Sequence, residues 1–122
     1  MSEVKYMDHK GRQILLIDFS SGHGPESLVE TGEKAMHIVR SSGKPHSILG
    51  LLDLSGTRLT KTVRNTMKRM SKNNGPYMKS VAFVGMGMVL TPFLKGVLIL
   101  TKRKNHRVFH TREEALNWLG KH

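Results

Sequence analysis

The sequence predicts an α/β domain built on a mostly parallel sheet that opens with a hairpin. Three observations lead there. Apolar runs of strand length recur at 12–19, 46–54 and 80–85. Those runs are nearly unbroken rather than alternating, as strands covered on both faces are. Between them lie stretches whose apolar residues recur every three or four positions, the spacing of a helix with one buried side.

Taken in order, "VKYM" pairs with the following run across "DHKG", where Gly11 supplies the turn. "RQILLIDF" (12–19) holds Ile14, Leu15, Leu16 and Ile17 and reads as a buried strand. "GHGP" breaks the chain, and Pro25 suits the first position of a helix because its missing N–H would be unpaired there anyway. That helix runs to about Ser42, lines up Leu28, Ala35, Met36 and Val39, and has Gly43 as its stop. "HSILGLLDL" (46–54) is the second buried strand. Thr60 can cap the next helix with its hydroxyl, and "NNGP" (73–76) ends it. "SVAFVG" (80–85) is the third strand, and Thr91-Pro92 reads as cap and first residue of a further helix. "HRVFH" (106–110) is a short last strand. "TREEALNWLG" then supplies a capping box from Thr111 to Glu114, a helix burying Ala115, Leu116, Trp118 and Leu119, and Gly120 as its end. The expectation is four or five strands and about four helices in a single domain spanning residues 1–122.

Composition narrows the function classes. Cysteine is absent, which removes disulfides, thiol nucleophiles and thiolate metal sites. No apolar run approaches the roughly 20 residues that span a bilayer. The longest, 86–100, is broken by Gly87, Pro92, Lys95 and Gly96. The polar start "MSEVKYMDHKGRQ" lacks the apolar core of a secretory signal, so a cytoplasmic setting is expected.

Charge is more informative once placed along the chain. Residues 1–53 carry six Lys and Arg against seven Asp and Glu, a net of −1, while 54–122 carry fourteen against two, a net of +12. No carboxylate stands between Asp53 and Glu113. In the helix after Thr60, Val63, Met67 and Met70 share one side. Lys61, Arg64, Lys68 and Lys72 share the opposite one, with Arg69 at its edge. Like charges three and four residues apart repel by a few tenths of a kcal/mol per pair. A solvated face tolerates that cost because water and salt screen it, whereas an anionic partner relieves it. A second cluster, Lys102-Arg103-Lys104 with His106 and Arg107, complements the macrodipole at a helix end. Stacking aromatics are sparse, with Tyr77 alone beside the basic helix, which argues against a nucleic-acid groove.

No catalytic constellation emerges. Asp18 and Asp53 each end an apolar strand, where turn and cap roles are the common ones. Glu113 and Glu114 fall in a capping turn, and the seven histidines are dispersed without metal spacing. "GHG" and "GMG" are fragments of phosphate-loop patterns that also serve chain reversal. No cofactor or metal is implied. Met86 and Met88, with Phe93, form an apolar stretch suited either to filling the core or to lining a pocket for an apolar ligand.

Four segments together, "ILLIDFSSGHGPESL", "LLDLSGTRL", "NNGPYMKSVAFVG" and "RVFHTREEALNWL", resemble the SpoIIAA-like branch of the STAS superfamily. The resemblance implies a STAS-like α/β domain of four or five strands, non-enzymatic and regulatory or binding in role. STAS regulators carry a phosphorylatable Ser in an Asp-Ser-Ser-Gly step at a helix start. The comparable loop here is "SGTRLTKT", with Ser55, Thr57, Thr60 and Thr62 and without that step. The expected function is engagement of an acidic protein partner through Ser55, Thr57, Lys61, Arg64, Lys68 and Lys72. The alternatives are electrostatic binding to nucleic acid or anionic lipid, and an apolar ligand at Met86, Met88 and Phe93. A homodimer is compatible with any of these.

Overall fold

The structure, a computed structural model, describes residues 3–20, 25–42, 44–58, 60–85, 92–93, 96 and 105–121. β1 (Glu3–His9) and β2 (Arg12–Asp18) form the expected antiparallel hairpin. Its turn is Lys10-Gly11, at φ 50° and 82°. Two consecutive left-handed residues give the turn whose twist matches that of the strands, and Gly11 adopts the second without a Cβ penalty. β3 (Ile48–Asp53), β4 (Met78–Val84) and β5 (His106–Phe109) then add in parallel, giving the order β1-β2-β3-β4-β5.

Every parallel connection thus steps across the sheet in the same direction. The right-handed crossover rule then places the connecting helices on one face. α1 (Pro25–Ser42) and α2 (Lys61–Asn74) both lie there. Leu28, Ala35, Met36 and Val39 of α1 and Val63, Met67 and Met70 of α2 pack with Leu15, Ile17, Leu52 and Phe83. α3 (Arg112–Leu119) covers the opposite face, where Ala115 and Leu119 meet Ile14, Leu16, Leu49, Leu51, Ala82 and Val84. The sheet is therefore sandwiched, which is why β2 and β3 read as continuous apolar runs. Leu116 and Trp118, expected in the core, are half-buried at its margin, and Trp118 tilts against Phe109 with centroids 5.6 Å apart.

The caps follow the sequence. Thr60 Oγ1 accepts from Val63 N at 3.2 Å, and Thr111 Oγ1 accepts from Glu114 N at 3.2 Å. The capping box is modified: the Thr111 hydroxyl donates to the Glu114 carboxylate at 3.1 Å. α2 gives way to a 3-10 turn at Gly75–Tyr77, which carries the chain into β4. Three α-helices stand among the described residues, against the four expected. Of the helix expected at Thr91-Pro92, only Pro92, Phe93 and Gly96 are described, all helical, and Gly43 also lies outside the described residues.

Candidate functional site

α2 presents the cationic ridge that its sequence spacing predicts. Lys61, Arg64, Asn65, Lys68 and Lys72 are exposed, while Val63, Met67 and Met70 are buried with Thr66 and Asn74. The four cations fall within about 100° of arc and span roughly 16 Å along the axis, from helical geometry. Among the described residues no carboxylate pairs with any of the four. Arg69, at the ridge's edge, is the exception, bridging to Glu33 of α1. The helix-to-helix pair thus removes the flanking charge from the ridge and leaves the other four facing solvent.

The first residues of the loop entering α2 are held by two hydrogen bonds. Ser55 N donates to Asp53 Oδ1 at 3.0 Å, and Thr57 N donates to the Leu54 carbonyl at 3.0 Å, closing a turn. Ser55 and Thr57 are half-buried. Gly85, at the end of β4 with φ 74°, lies directly against Ser55, so that a Cβ there would collide with its backbone and hydroxyl. Gly85 therefore serves close approach between β4 and this loop, while Met86 and Gly87, the rest of the "GMG" fragment, lie outside the described residues.

Beside that loop, the carboxyl ends of β2 and β3 hold a charge cluster. Asp18 and Asp53 are register partners on adjacent parallel strands and are 7% and 5% exposed. Strand alternation points both toward the α3 face. Two buried like charges in such proximity are costly unless shared by a cation. Arg112, the first residue of α3, is that cation. Its Nε meets Asp53 Oδ2 at 2.6 Å and its terminal nitrogen meets Asp18 Oδ2 at 2.9 Å. The remaining oxygens accept from the chain ahead: Asp18 Oδ1 from Ser20 N at 2.8 Å and from the Ser20 hydroxyl, Asp53 Oδ1 from Ser55 N. The turn role expected of both aspartates is therefore real, and the bridge to α3 is added to it.

Burial pushes the Asp18 carboxyl up, but the Ser20 hydroxyl and N–H and the Arg112 guanidinium outweigh burial and hold it below the ordinary carboxylate value. Arg112 is likewise opposed by burial and held above its ordinary value by the hydrogen bonds it donates to Asp53 and Asp18. A carboxylate so held keeps its charge and is a poor proton acceptor at neutral pH. Because Asp18 titrates lower in the folded chain than in the unfolded one, the unfolded chain takes up this proton first as pH falls. Its stabilisation is complete above the unfolded value of about 3.9 and is lost as pH drops through the folded value. Asp18→Asn should flatten the fall in urea-measured stability between about pH 5 and pH 2. An unaltered slope would assign the acid sensitivity to other carboxylates.

The remaining sequence candidates divide. Phe93 is half-buried against the α1–α2 core. Met86 and Met88 lie outside the described residues, as do Lys102, Arg103 and Lys104. Tyr77 packs on the same core and is only partly exposed, so it offers the ridge no open stacking face. Among the described residues, no group of three His, Asp or Glu is placed to hold a metal ion. No helix among them is long and apolar enough to cross a membrane.

Arg112 is the residue that sequence reasoning missed. Its neighbours Thr111 and Glu114 explain the local pattern completely, which left its side chain without a question to answer. A signal did exist: Asp18-Phe19-Ser20 and Asp53-Leu54-Ser55 repeat one Asp-apolar-Ser step at the ends of two parallel strands. Two such steps in register demand a shared cation.

A sandwiched five-stranded sheet, opened by a hairpin, parallel thereafter and closed by a C-terminal helix on the free face, is a SpoIIAA-like fold. Among solved structures, an uncharacterized protein of the DUF3478 family with a SpoIIAA-like fold, from Shewanella loihica PV-4, is similar to this chain. The TM-score is 0.74 over 96% of this chain and 92% of that one, at 17% sequence identity. At that identity the likeness establishes the fold. No protein-family model and no curated protein matches the chain.

Proposed function

We propose that the chain is a non-enzymatic STAS-type binding module that engages an acidic surface of a partner protein through the loop at 55–60 and the ridge of α2. The observation that carries this reading is the ridge itself: Lys61, Arg64, Lys68 and Lys72 are exposed on one side of a helix, and no carboxylate among the described residues compensates them. Repulsion along such a ridge is a standing cost that a complementary anionic surface converts into attraction and faster encounter. Ser55 and Thr57 bring polar groups to the same end of the helix. Asp53, which accepts from Ser55 N, and Gly85, which lies against Ser55, hold that residue at the sheet edge. A protein surface is favoured over nucleic acid because the one aromatic beside the ridge, Tyr77, is packed against the core and only partly exposed.

The test is a pull-down from native lysate with the wild-type chain and with a variant carrying Lys61→Glu, Arg64→Glu, Lys68→Glu and Lys72→Glu. The proposal expects a protein captured by the wild type at moderate salt and lost by the variant, with thermal stability nearly unchanged. Capture that is indifferent to the reversal would remove α2 as the contact. Nucleic-acid binding would carry a different signature. Four released counterions give a slope of log K against log salt near −3.6, or roughly a 150-fold loss between 50 and 200 mM. A titration of duplex DNA with that slope, abolished by the same reversal, would replace the protein partner with a polyanion.

A further inference from the structure

The mouth of the sheet opposite the aspartate cluster holds a groove of about 590 Å³, lined by Tyr6, Arg12, Gln13, Lys44, Ser47 and Lys79 among others. Its floor is the amino-terminal edge of the parallel strands, since Arg12 starts β2, Ile48 starts β3 and Lys79 is the second residue of β4. Three of its lining residues carry a cationic group and none carries a carboxylate. Among the described residues no acid forms an ion pair with Arg12, Lys44 or Lys79. Arg12 is half-buried where it starts β2, whereas Lys44 and Lys79 are exposed and free to converge on a ligand. Tyr6 is 42% exposed and is the one large hydrophobic exposed among the described residues. In a chain that buries its other described aromatics at least partly, an open phenol ring beside three cations calls for an explanation.

Volume, charge and ring together define a ligand. A cavity of this size takes a small organic molecule rather than a bare ion. Three cations and no acid select two or more negative charges on it. The phenol face offers a planar group an offset stack. The carboxyl end of α1 opposes this, because its last turn precedes Lys44 and presents about half a unit of negative charge. Three full positive charges outweigh it. Asp8, exposed on the Tyr6 side of β1 and paired in register with Gln13, also trims the positive field without lining the groove.

We infer that the groove between Tyr6, Arg12, Lys44 and Lys79 binds a small organic phosphate bearing a planar ring, the dianionic head on the three cations and the ring on Tyr6. This site lies at the other edge of the sheet from the loop at 55–60 and does not depend on the proposed partner surface.

The test uses the whole chain and 1-naphthyl phosphate as probe, followed by its own fluorescence, with 1-naphthol and inorganic phosphate as controls. Saturable binding of the aryl phosphate is expected, at least ten-fold tighter than either control. Arg12→Gln with Lys79→Gln should weaken it ten-fold or more. Tyr6→Ser should weaken it several-fold while leaving inorganic phosphate binding unchanged, a split that general misfolding would not produce. The four-site reversal on α2 should leave it intact, which separates this site from the ridge. No saturable binding at millimolar probe would overturn the inference. So would binding insensitive to the Arg12 and Lys79 changes, or binding removed by the α2 reversal.

Discussion

Arg112→Met is expected to cost about 2–4 kcal/mol of folding stability, a loss of roughly 10 °C in the thermal midpoint of a chain this size. The substitution keeps most of the aliphatic stem and removes only the fork. What remains is two carboxylates, 7% and 5% exposed, in register on neighbouring strands with no cation between them. Breaking one side of a buried ion cluster is costly because the charges left behind stay desolvated. Arg112's own side chain is 40% exposed, so water screens part of the interaction and the lower half of that range is favoured. A cycle separates this from lost packing. Asp18→Asn made alone should destabilise, yet in the Arg112→Met background it should destabilise less or even stabilise, because it then removes a repelling charge. Strict additivity in urea denaturation would mean that Arg112 contributes through packing alone.

Gly85→Ala is the second large effect, at about 2–4 kcal/mol, and it should act on the loop as well as on stability. A left-handed φ costs any residue with a Cβ about 1 kcal/mol. At Gly85 the new methyl would also meet the Ser55 backbone, which cannot step aside as a flexible side chain does. Gly56 is the internal control. It has φ 77°, but its nearest neighbour to an added Cβ is the Ser20 carbonyl oxygen at 3.9 Å, an ordinary contact. Gly56→Ala should therefore cost only the backbone share. The excess at Gly85 measures the close approach, and hydrogen exchange should place the disturbance at Ser55 and the first turn of α2. Equal losses at the two glycines would show that the packing against Ser55 is slack.

Both effects concern contacts between segments far apart in sequence, and they mark where sequence reasoning stopped. The strands were legible because β2 and β3 carry uninterrupted apolar runs, which only a sheet covered on both sides accommodates. The ends of α2 and the start of α3 were legible because Thr60 and Thr111 satisfy orphan backbone donors a few residues away. The ridge was legible for the same local reason: a fixed rotation per residue sorts Val63, Met67 and Met70 from Lys61, Arg64, Lys68 and Lys72. Arg112 was not, since its partners stand 94 and 59 positions earlier, and nothing within its own turn requires them. Nor was the groove, whose cations come from the starts of β2 and β4 and from the connection between α1 and β3, and acquire a common purpose only when the sheet brings them together.

By itself, then, the chain's order of residues determined what is periodic or local: the class of fold, the buried stripes, the caps, and a helix with one cationic side. Tertiary structure alone decided which charges are compensated. Glu33 neutralises Arg69 but leaves the ridge open, Arg112 joins two aspartates at one edge of the sheet, and Arg12, Lys44 and Lys79 gather at the other. The physical reason is the range of the forces. Backbone hydrogen bonding and side-chain burial repeat with the period of the element and leave a trace in sequence. Electrostatic pairing depends on distance in space, which folding sets.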